Sequence, residues 1–249
     1  MQLKRIKKMT LNKENFTNRL RSFSATFFPV VEFDPSVNKL LRTDFTEDNL
    51  ELDKVDIENT REFTLYMNDL LATKKATFGI GGYDELRTIY SRSKLFNKDL
   101  GAEQKAEEPR RLHLGFDIWG PAGTPVYAPL DGTIHSFAFN DRFGDYGATI
   151  ILQHQIEELE FHTLYGHLSL KDLEGLQKGD LIEKGKKFAH FGIEKENGYW
   201  PPHLHFQLIR DMENFEGDYP AVCKFSEREI YLQNCPDPDI ILNMRKYWQ

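Results

Sequence analysis

Cysteine is scarce in this sequence, which carries two cysteines, Cys223 and Cys235, in 249 residues. A disulfide-stapled fold needs more cysteines at closer spacings, so that class of protein is excluded. No CxxC pair is present either, which argues against a thiolate metal site. We therefore expect two free thiols and a reducing compartment.

Long hydrophobic runs are also missing, and no segment approaches the roughly 20 apolar residues that a membrane span requires. The basic start MQLKRIKKMTLNKENF is not followed by the apolar core of a secretory signal. Translation from Met9 instead of Met1 would remove the basic run, and the sequence leaves both starts open. These features predict a cytoplasmic protein that does not bind membranes.

Positive charge is not in excess: 32 Lys and Arg stand against 39 Asp and Glu, a net charge of −7. No overall basic field therefore favours nucleic acid or an anionic membrane as a partner. Hydrophobic residues make up 40% and charged residues 29%, a globular composition. The length suits one domain with extensions, or two small domains.

Histidine is absent from the first 112 residues and from the last 44, and all eight histidines lie between His113 and His205. This clustering indicates where chemistry is concentrated.

The chain divides into three predicted parts, at 1–108, 109–210 and 211–249. The first is a mixed region with two helical patterns, one over Asn12–Phe23 and one that begins after the capping residue Asn59. The segment GAEQKAEEPRR at 101–111 is charged and predicts a surface connection, and the last part is polar and loop-rich.

The middle part contains short β-rich runs separated by turn residues, among them GTPVYAPLDGTIHSFAF, YGATIILQHQ, LEFHTLYGH and PPHLHFQLI. Such spacing favours an antiparallel sandwich or barrel-like sheet. The fold class is therefore mainly β, or α+β with the N-terminal helices.

Two local motifs suit a metal: His113-Leu-Gly-Phe-Asp117 and His203-Leu-His205. On a strand, residues separated by an even number share a face, so each pair can present its side chains together. Two imidazoles and one carboxylate form a ligand set for Zn²⁺ with an open fourth position. Neither motif is specific by itself, since an isolated HxH is more often structural.

A third motif, Leu164-Tyr-Gly-His167-Leu-Ser169, completes an ordered series that resembles the lysostaphin-type (LytM-like) zinc metallopeptidases, which are mostly peptidoglycan endopeptidases. The resemblance runs from about Arg110 to Leu208 and includes HLGFD, GTPVYAPLDGTI, TLYGHLS and PHLHF. It implies an antiparallel sandwich of the duplicated hybrid motif and one zinc ion per chain. The implied ligands are His113, Asp117 and His205, with His167 and His203 as the remaining site histidines.

An amide hydrolase also needs groups that accept the proton of water, stabilise charge on the carbonyl oxygen and protonate the leaving amine. No HExxH glutamate is present, so we assign His203 as the base and His167 as the stabiliser or proton donor, with the exchange of these roles left open. Tyr165 is a candidate substrate contact, although packing is favoured for it. Tyr199 and Trp200 are expected to line an aromatic cleft wall.

Several alternatives remain. NGYWPPHLHFQL, with GGYDELRTIYSR and CPDPD, is similar to a variant domain fused to phosphotransferase-like and class III aminotransferase domains, which implies a cytosolic setting and leaves the substrate open. Peptidoglycan-type peptides and small amides are both candidates. The hairpins also resemble those of non-catalytic lipoyl, biotinyl or phosphotransferase carrier modules. A degenerate peptidase used as a regulator is a third possibility. His135, His154, His162 and His190 are expected to be ordinary residues.

Overall fold

The computed structural model describes residues 12–97 and 108–248. The basic N-terminal run and most of the predicted connection at 101–111 lie outside these residues.

The two predicted helices are present, and an asparagine caps each one. Helix α1 spans Lys13–Arg21, and the Asn12 side chain accepts a hydrogen bond from the backbone N–H of Asn15. Helix α2 spans Thr60–Lys74, and the Asn59 side chain accepts from the first free N–H groups of that helix. Each cap satisfies backbone donors that have no partner within the helix, which explains why the helices begin at these positions.

The protein is mainly β, as the sequence predicts. In chain order the strands are β1 Leu40–Arg42, β2 Phe78–Gly81, β3 Glu85–Leu86, β4 Leu112–His113, β5 Phe116–Trp119, β6 Pro125–Tyr127, β7 Gly132–Asn140, β8 Gly147–Ile156, β9 Leu159–Leu168, β10 Leu181–Ile182, β11 Lys187–His190, β12 His203–Ile209 and β13 Val222–Cys223. The β-rich runs of the middle part fall on strands β6 to β12.

Eight strands form one large sheet in the order β1-β2-β5-β12-β9-β8-β7-β10. The sheet is mixed because β1 and β2 run parallel, while the other neighbouring strands run antiparallel. Strand β2 comes from the N-terminal part of the chain and pairs with β5 of the middle part. The sheet is therefore continuous across the predicted boundary at residue 108.

Two smaller sheets accompany the large one: β6 pairs with β11, and β4 lies between β3 and β13. The second of these joins the N-terminal part, the middle part and the C-terminal part of the chain.

Apolar side chains cover both faces of the large sheet. Tyr165 and Phe206 belong to the main core cluster, which also takes in Phe16 and Leu20 of α1. Leu164, the neighbour of Tyr165 on β9, belongs to a second cluster on the other face. This alternation is the period of a strand that is buried on both sides.

The C-terminal part is more ordered than the polar pattern predicts. It contains helix α3, Arg228–Asn234, and helix α4, Asp239–Leu242. Ile240 and Ile241 of α4 are buried in the main core. Helices of four and seven residues are too short to show a clear periodicity, so packing, which sequence patterns do not report, stabilises them.

Among the described helices, none has both the length and the apolar character needed to cross a membrane.

Candidate metal centre

Asp117 and His205 face each other across two neighbouring strands. Strand β5 pairs with β12 in a register that places Asp117 directly opposite His205. Opposite residues in an antiparallel pair project from the same face. The Oδ1 atom of Asp117 consequently lies 3.1 Å from Nδ1 of His205.

His113 reaches the same point from a different sheet. Sequence reasoning places His113 and Asp117 on one strand, but the chain leaves β4 after His113 and enters the large sheet at Phe116. The Nε2 atom of His113 lies 2.9 Å from Nδ1 of His205 and 3.4 Å from Oδ1 of Asp117. The three residues are buried, and one ligand atom of each lies within 4.8 Å of the others.

Gly115 explains why this crossing is possible. A Cβ atom on Gly115 would lie 2.3 Å from Cε1 of the His205 ring. Only a residue without a side chain allows His205 to approach the chain between the other two ligands.

The hydrogen-bond partners of the two imidazoles determine which nitrogen carries the proton. Nδ1 of His113 lies 2.9 Å from the carbonyl oxygen of Gly82 and donates to it, so Nε2 carries the lone pair. Nε2 of His205 donates to Oε1 of Gln207 over 2.9 Å, so Nδ1 carries the lone pair. The Gln207 amide nitrogen donates to the Pro220 carbonyl and the Cys235 sulfur, which fixes the orientation of that amide.

Three acceptor atoms therefore converge, with no proton between them. Lone pairs at separations of 2.9–3.4 Å repel one another unless a cation lies between them. Two nitrogens and one carboxylate oxygen are donors that suit Zn²⁺. The residues fit a metal ion on the chemistry and orientation of their donor atoms.

The environment favours the ligand forms of these groups. Burial and the Arg87 cation lower the pKa of His113 to about 3, which keeps its imidazole neutral. Burial alone would raise the pKa of Asp117, but the Arg87 guanidinium that pairs with it holds the pKa well below its usual value. A neutral imidazole and an ionised carboxylate are the forms that bind metals.

His167 reaches the site through an irregular strand. His167 lies two residues after Tyr165, so a regular strand would point both side chains towards the core. The pairing of β8 with β9 instead shifts register beside His167. His167 itself has a left-handed φ of 63°. Such bulges redirect side chains, and left-handed conformations of non-glycine residues are often found at functional sites.

His203 and His167 form a pair, with ring centroids 4.1 Å apart. The His203 ring stacks on Trp119 at 3.8 Å. Nδ1 of His203 donates to the Pro201 carbonyl, and Nδ1 of His167 donates to the Asn197 carbonyl, each over 2.7 Å. Burial lowers the pKa of His203 to about 4. The pKa of His167 is likewise lowered, first by burial and then by His203 and His205. Both rings are thus neutral at pH 7, with Nε2 free of a proton.

A cavity of about 290 Å³ opens onto the site. Asp117, His167, His203 and His205 line it. Its walls come from the N-terminal part, through Tyr90 and Phe96, and from the C-terminal part, through Phe215 and Tyr219. The lining also carries charges of both signs outside the metal site, on Arg110, Arg142, Asp145 and Asp218.

One of the three predicted substrate contacts lines the cavity and two do not. Trp200 lines the cavity, whereas Tyr199 and Tyr165 are not among its lining residues. Tyr165 is fully buried and packs on Phe188 and Phe206, which supports the packing role that the sequence favours over a substrate contact.

The remaining histidines have other partners. His154 contacts the Asp131 carbonyl and the Thr163 hydroxyl, and His190 pairs with Asp172. Neither lines the cavity.

Sequence reasoning missed two residues that touch the ligands. Arg87 pairs with Asp117, and Gln207 fixes His205. Gln207 carried a usable signal, since it continues the alternation of His203 and His205 on one strand face. Arg87 lies 30 positions from Asp117 in the chain, so nothing local to it indicated the contact.

Residues 111–216, fewer than half of the chain, match the model of Peptidase family M23. An uncharacterized metalloprotease of Haemophilus influenzae is 36% identical over 101 residues, which cover 39% of this chain and 18% of that protein. The DD-carboxypeptidase/endopeptidase Mpg of Neisseria meningitidis is 36% identical over 99 residues, 39% of this chain and 20% of that protein. The peptidoglycan DD-endopeptidase ShyA of Vibrio cholerae is 29% identical over 136 residues, 49% of this chain and 29% of that protein.

The chain thus spans less than a third of the length of each of these curated relatives. The matched segment contains Asp117 and all the site histidines, so the similarity falls on the candidate metal centre.

Proposed function

We propose that this protein is a zinc-dependent hydrolase of peptide or amide bonds, with one zinc ion held by His113, Asp117 and His205. The observation that carries the proposal is the convergence of three proton-free acceptor atoms beside a pair of neutral histidines. The match to Peptidase family M23 supports it independently. The lysostaphin-type sandwich remains our prediction for the fold.

A zinc ion in such a ligand set supplies Lewis acidity and lowers the pKa of water towards 7. His203 lines the same cavity with a proton-free Nε2, so it accepts the proton of the attacking water. His167, whose ring lies against that of His203, stabilises charge on the carbonyl oxygen or protonates the leaving amine once its own Nε2 has taken up a proton that the attacking water released. The backbone carbonyls that hold both Nδ1 protons orient the two rings for this exchange.

The substrate we propose is a short peptide or small amide, and cell-wall fragments are the first candidates. The N-terminal and C-terminal parts wall the cavity, and about 290 Å³ accommodates a small molecule rather than a folded chain. Lining charges of both signs suit the charged ends of a peptide. The DD-carboxypeptidase/endopeptidase of Neisseria and the peptidoglycan DD-endopeptidase of Vibrio, to which this chain is similar, support cell-wall peptides as substrates.

A carrier module, the alternative that the hairpins suggest, is not favoured. A carrier has no need of a carboxylate and three histidines around one cavity, with a fourth histidine in contact with them, and here these residues converge. The complete set of site residues also disfavours a degenerate regulator. The resemblance to a variant domain that is fused to phosphotransferase-like and aminotransferase domains predicts a cytosolic setting, and that setting remains a prediction.

A screen of candidate substrates tests the proposed substrate class. Zinc-loaded protein is incubated with a panel of muropeptides and small amide metabolites, and products are followed by mass spectrometry. We expect cleavage of at least one amide bond, absent with His203→Ala. Turnover that persists in that variant would contradict the assigned role, and inactivity on the entire panel would contradict the proposed substrate class.

A further inference from the structure

Arg87 is a fully buried cation in the N-terminal part of the chain, between β3 and the short 3₁₀ turn Thr88–Arg92. Its guanidinium is held on every side. Nε donates to Glu85 over 2.8 Å, Nη2 donates to the Gly81 carbonyl over 3.3 Å, and Nη1 pairs with Oδ2 of Asp117. The Phe45 ring lies 5.1 Å from the guanidinium carbon. This surrounding fixes the group in one orientation.

The contact with Asp117 divides that carboxylate between two roles. Oδ2 faces Arg87, and Oδ1 faces His113 and His205. An oxygen that accepts a charge-assisted hydrogen bond from a guanidinium has less electron density to offer a metal. The other oxygen of Asp117 is therefore the stronger donor for the cation.

The same short segment also orients a second ligand. The carbonyl of Gly81 accepts from Arg87, and the next carbonyl, that of Gly82, accepts from Nδ1 of His113. A Cβ on Gly82 would lie 1.6 Å from Nη2 of Arg87, so this glycine allows the guanidinium to enter. Arg87 and the partner of His113 are thus built into one turn.

A buried ion pair is weak evidence for stability, because desolvation of the two charges offsets their attraction. This pair is made to a candidate metal ligand, and groups that hydrogen-bond to metal ligands orient them and tune metal affinity. We propose that Arg87 is a positioning residue of the metal centre, which holds Oδ2 of Asp117 and presents Oδ1 alone to the ion. The inference rests on the proposed function, since it requires that Asp117 bind a metal.

The test measures Zn²⁺ affinity of the full chain by competition with a chromogenic chelator. Arg87→Met should weaken Zn²⁺ binding by about 10- to 100-fold, the effect typical of such groups. Arg87→Lys should weaken Zn²⁺ binding less than Arg87→Met does, because the ammonium group keeps the positive charge. Some loss should remain, because an ammonium group cannot bond to all three acceptors at once.

Arg92→Met is the matched control. Arg92 is buried at the end of the same 3₁₀ turn, and its guanidinium contacts the rings of Phe63, Phe143 and Trp200 rather than a metal ligand. We expect it to lower the thermal stability of the metal-free protein while the Zn²⁺ affinity stays within about threefold of wild type.

Replacement of Zn²⁺ by Co²⁺ gives a readout that loss of stability alone would not change. In Arg87→Met the freed oxygen of Asp117 should enter the coordination shell, and the visible absorption of Co²⁺ should weaken as the coordination number rises. An unchanged spectrum together with wild-type Zn²⁺ affinity would overturn the proposal, as would equal losses of affinity in Arg87→Met and Arg92→Met. If Arg87→Met does not fold, wild-type affinity and spectrum in folded Arg87→Lys would overturn it.

Failure of this inference is distinguishable from failure of the proposed function. Hydrolysis by wild type with unchanged Zn²⁺ affinity in the Arg87 variants contradicts the inference alone. Weakened Zn²⁺ binding in those variants, without any hydrolysis by wild type, contradicts the proposed activity alone. Absence of Zn²⁺ binding by wild type contradicts both.

Discussion

At the scale of single residues, the site is organised by hydrogen bonds that decide where imidazole protons lie. The two candidate ligands point proton-free nitrogens at each other because Gly82 and Gln207 accept their protons. His167 and His203 have their Nδ1 protons held by backbone carbonyls. The residue types alone would permit several tautomers, and the surrounding acceptors favour one.

Substitution of His203 separates proton acceptance from metal binding. His203→Ala should retain one zinc ion and lose at least about 100-fold in kcat/KM, since it removes a proton acceptor and no ligand. Paired metal analysis and steady-state kinetics check this. His190→Ala, which alters a half-exposed histidine paired with Asp172, is the control and should match wild type in both measurements. Loss of zinc from His203→Ala would refute the division of roles.

At the scale of elements, the metal centre requires two sheets to meet. His113 ends β4, Asp117 lies on β5 and His205 lies on β12, so the crossing between β4 and β5 sets the geometry. Gly115 lies in that crossing, against the His205 ring.

Gly115→Ala should therefore displace His205 and weaken Zn²⁺ affinity by at least about tenfold, because a new Cβ would overlap the ring. Chelator competition measures the change. Gly123→Ala is the control: its Cβ would meet nothing within 4 Å, although a φ of +81° makes the variant less stable by about 1 kcal/mol. Equal Zn²⁺ affinities in the two variants would show that Gly115 does not shape the site.

Strand β8 supplies a pH-dependent contribution to stability through His154. Burial lowers the pKa of His154 to about 4, below the usual value of 6.5. Between these two values the unfolded chain binds more protons than the native state, so His154 makes the native state lose stability as pH falls from 6.5 towards 4. The slope from this one group is at most about 1.4 kcal/mol per pH unit.

His154→Gln should consequently show a shallower decline of the free energy of unfolding over that pH range. Urea denaturation at several pH values measures both slopes. Arg210→Gln, which changes the residue after strand β12 and adds or removes no histidine, should keep the wild-type slope. Identical slopes in wild type and His154→Gln would show that His154 is not buried in its neutral form.

At the scale of the whole molecule, the parts that flank the matched segment belong to the site. Strand β2 extends the large sheet beside β5, Arg87 reaches Asp117, and both flanking parts wall the cavity. Backbone pairing and a buried ion pair thus connect the residues on the two sides of position 108. A domain boundary at that position remains a prediction.

A fragment of residues 109–249 should not fold as a stable monomer. Removal of β2 leaves β5 as an unpaired edge, and removal of Arg87 leaves a buried carboxylate oxygen without its partner. Size-exclusion chromatography and thermal denaturation check this against the full chain. A monomeric fragment with cooperative unfolding and wild-type Zn²⁺ affinity would contradict it.

The sequence predicted what is encoded locally. The helical pattern over Asn12–Phe23 indicated α1, the capping residue Asn59 indicated where α2 begins, and alternation with turn residues indicated the strands of the middle part. The HxxxD and HxH motifs indicated a possible metal site by their local spacing, and the resemblance to lysostaphin-type peptidases implied which of their residues are the ligands. Arg87, the bulge that redirects His167 and the short helix α4 depend on contacts between distant segments, and no local pattern reports those.

The metal content of the purified protein shows whether His113, Asp117 and His205 bind zinc. Purified protein is exposed to Zn²⁺, freed of loosely bound ions by gel filtration and analysed by inductively coupled plasma mass spectrometry, alongside His205→Ala. We predict one zinc ion per chain in wild type and less than about a tenth of that in the variant. Absence of stoichiometric zinc from wild type, or equal zinc in both proteins, would contradict the account.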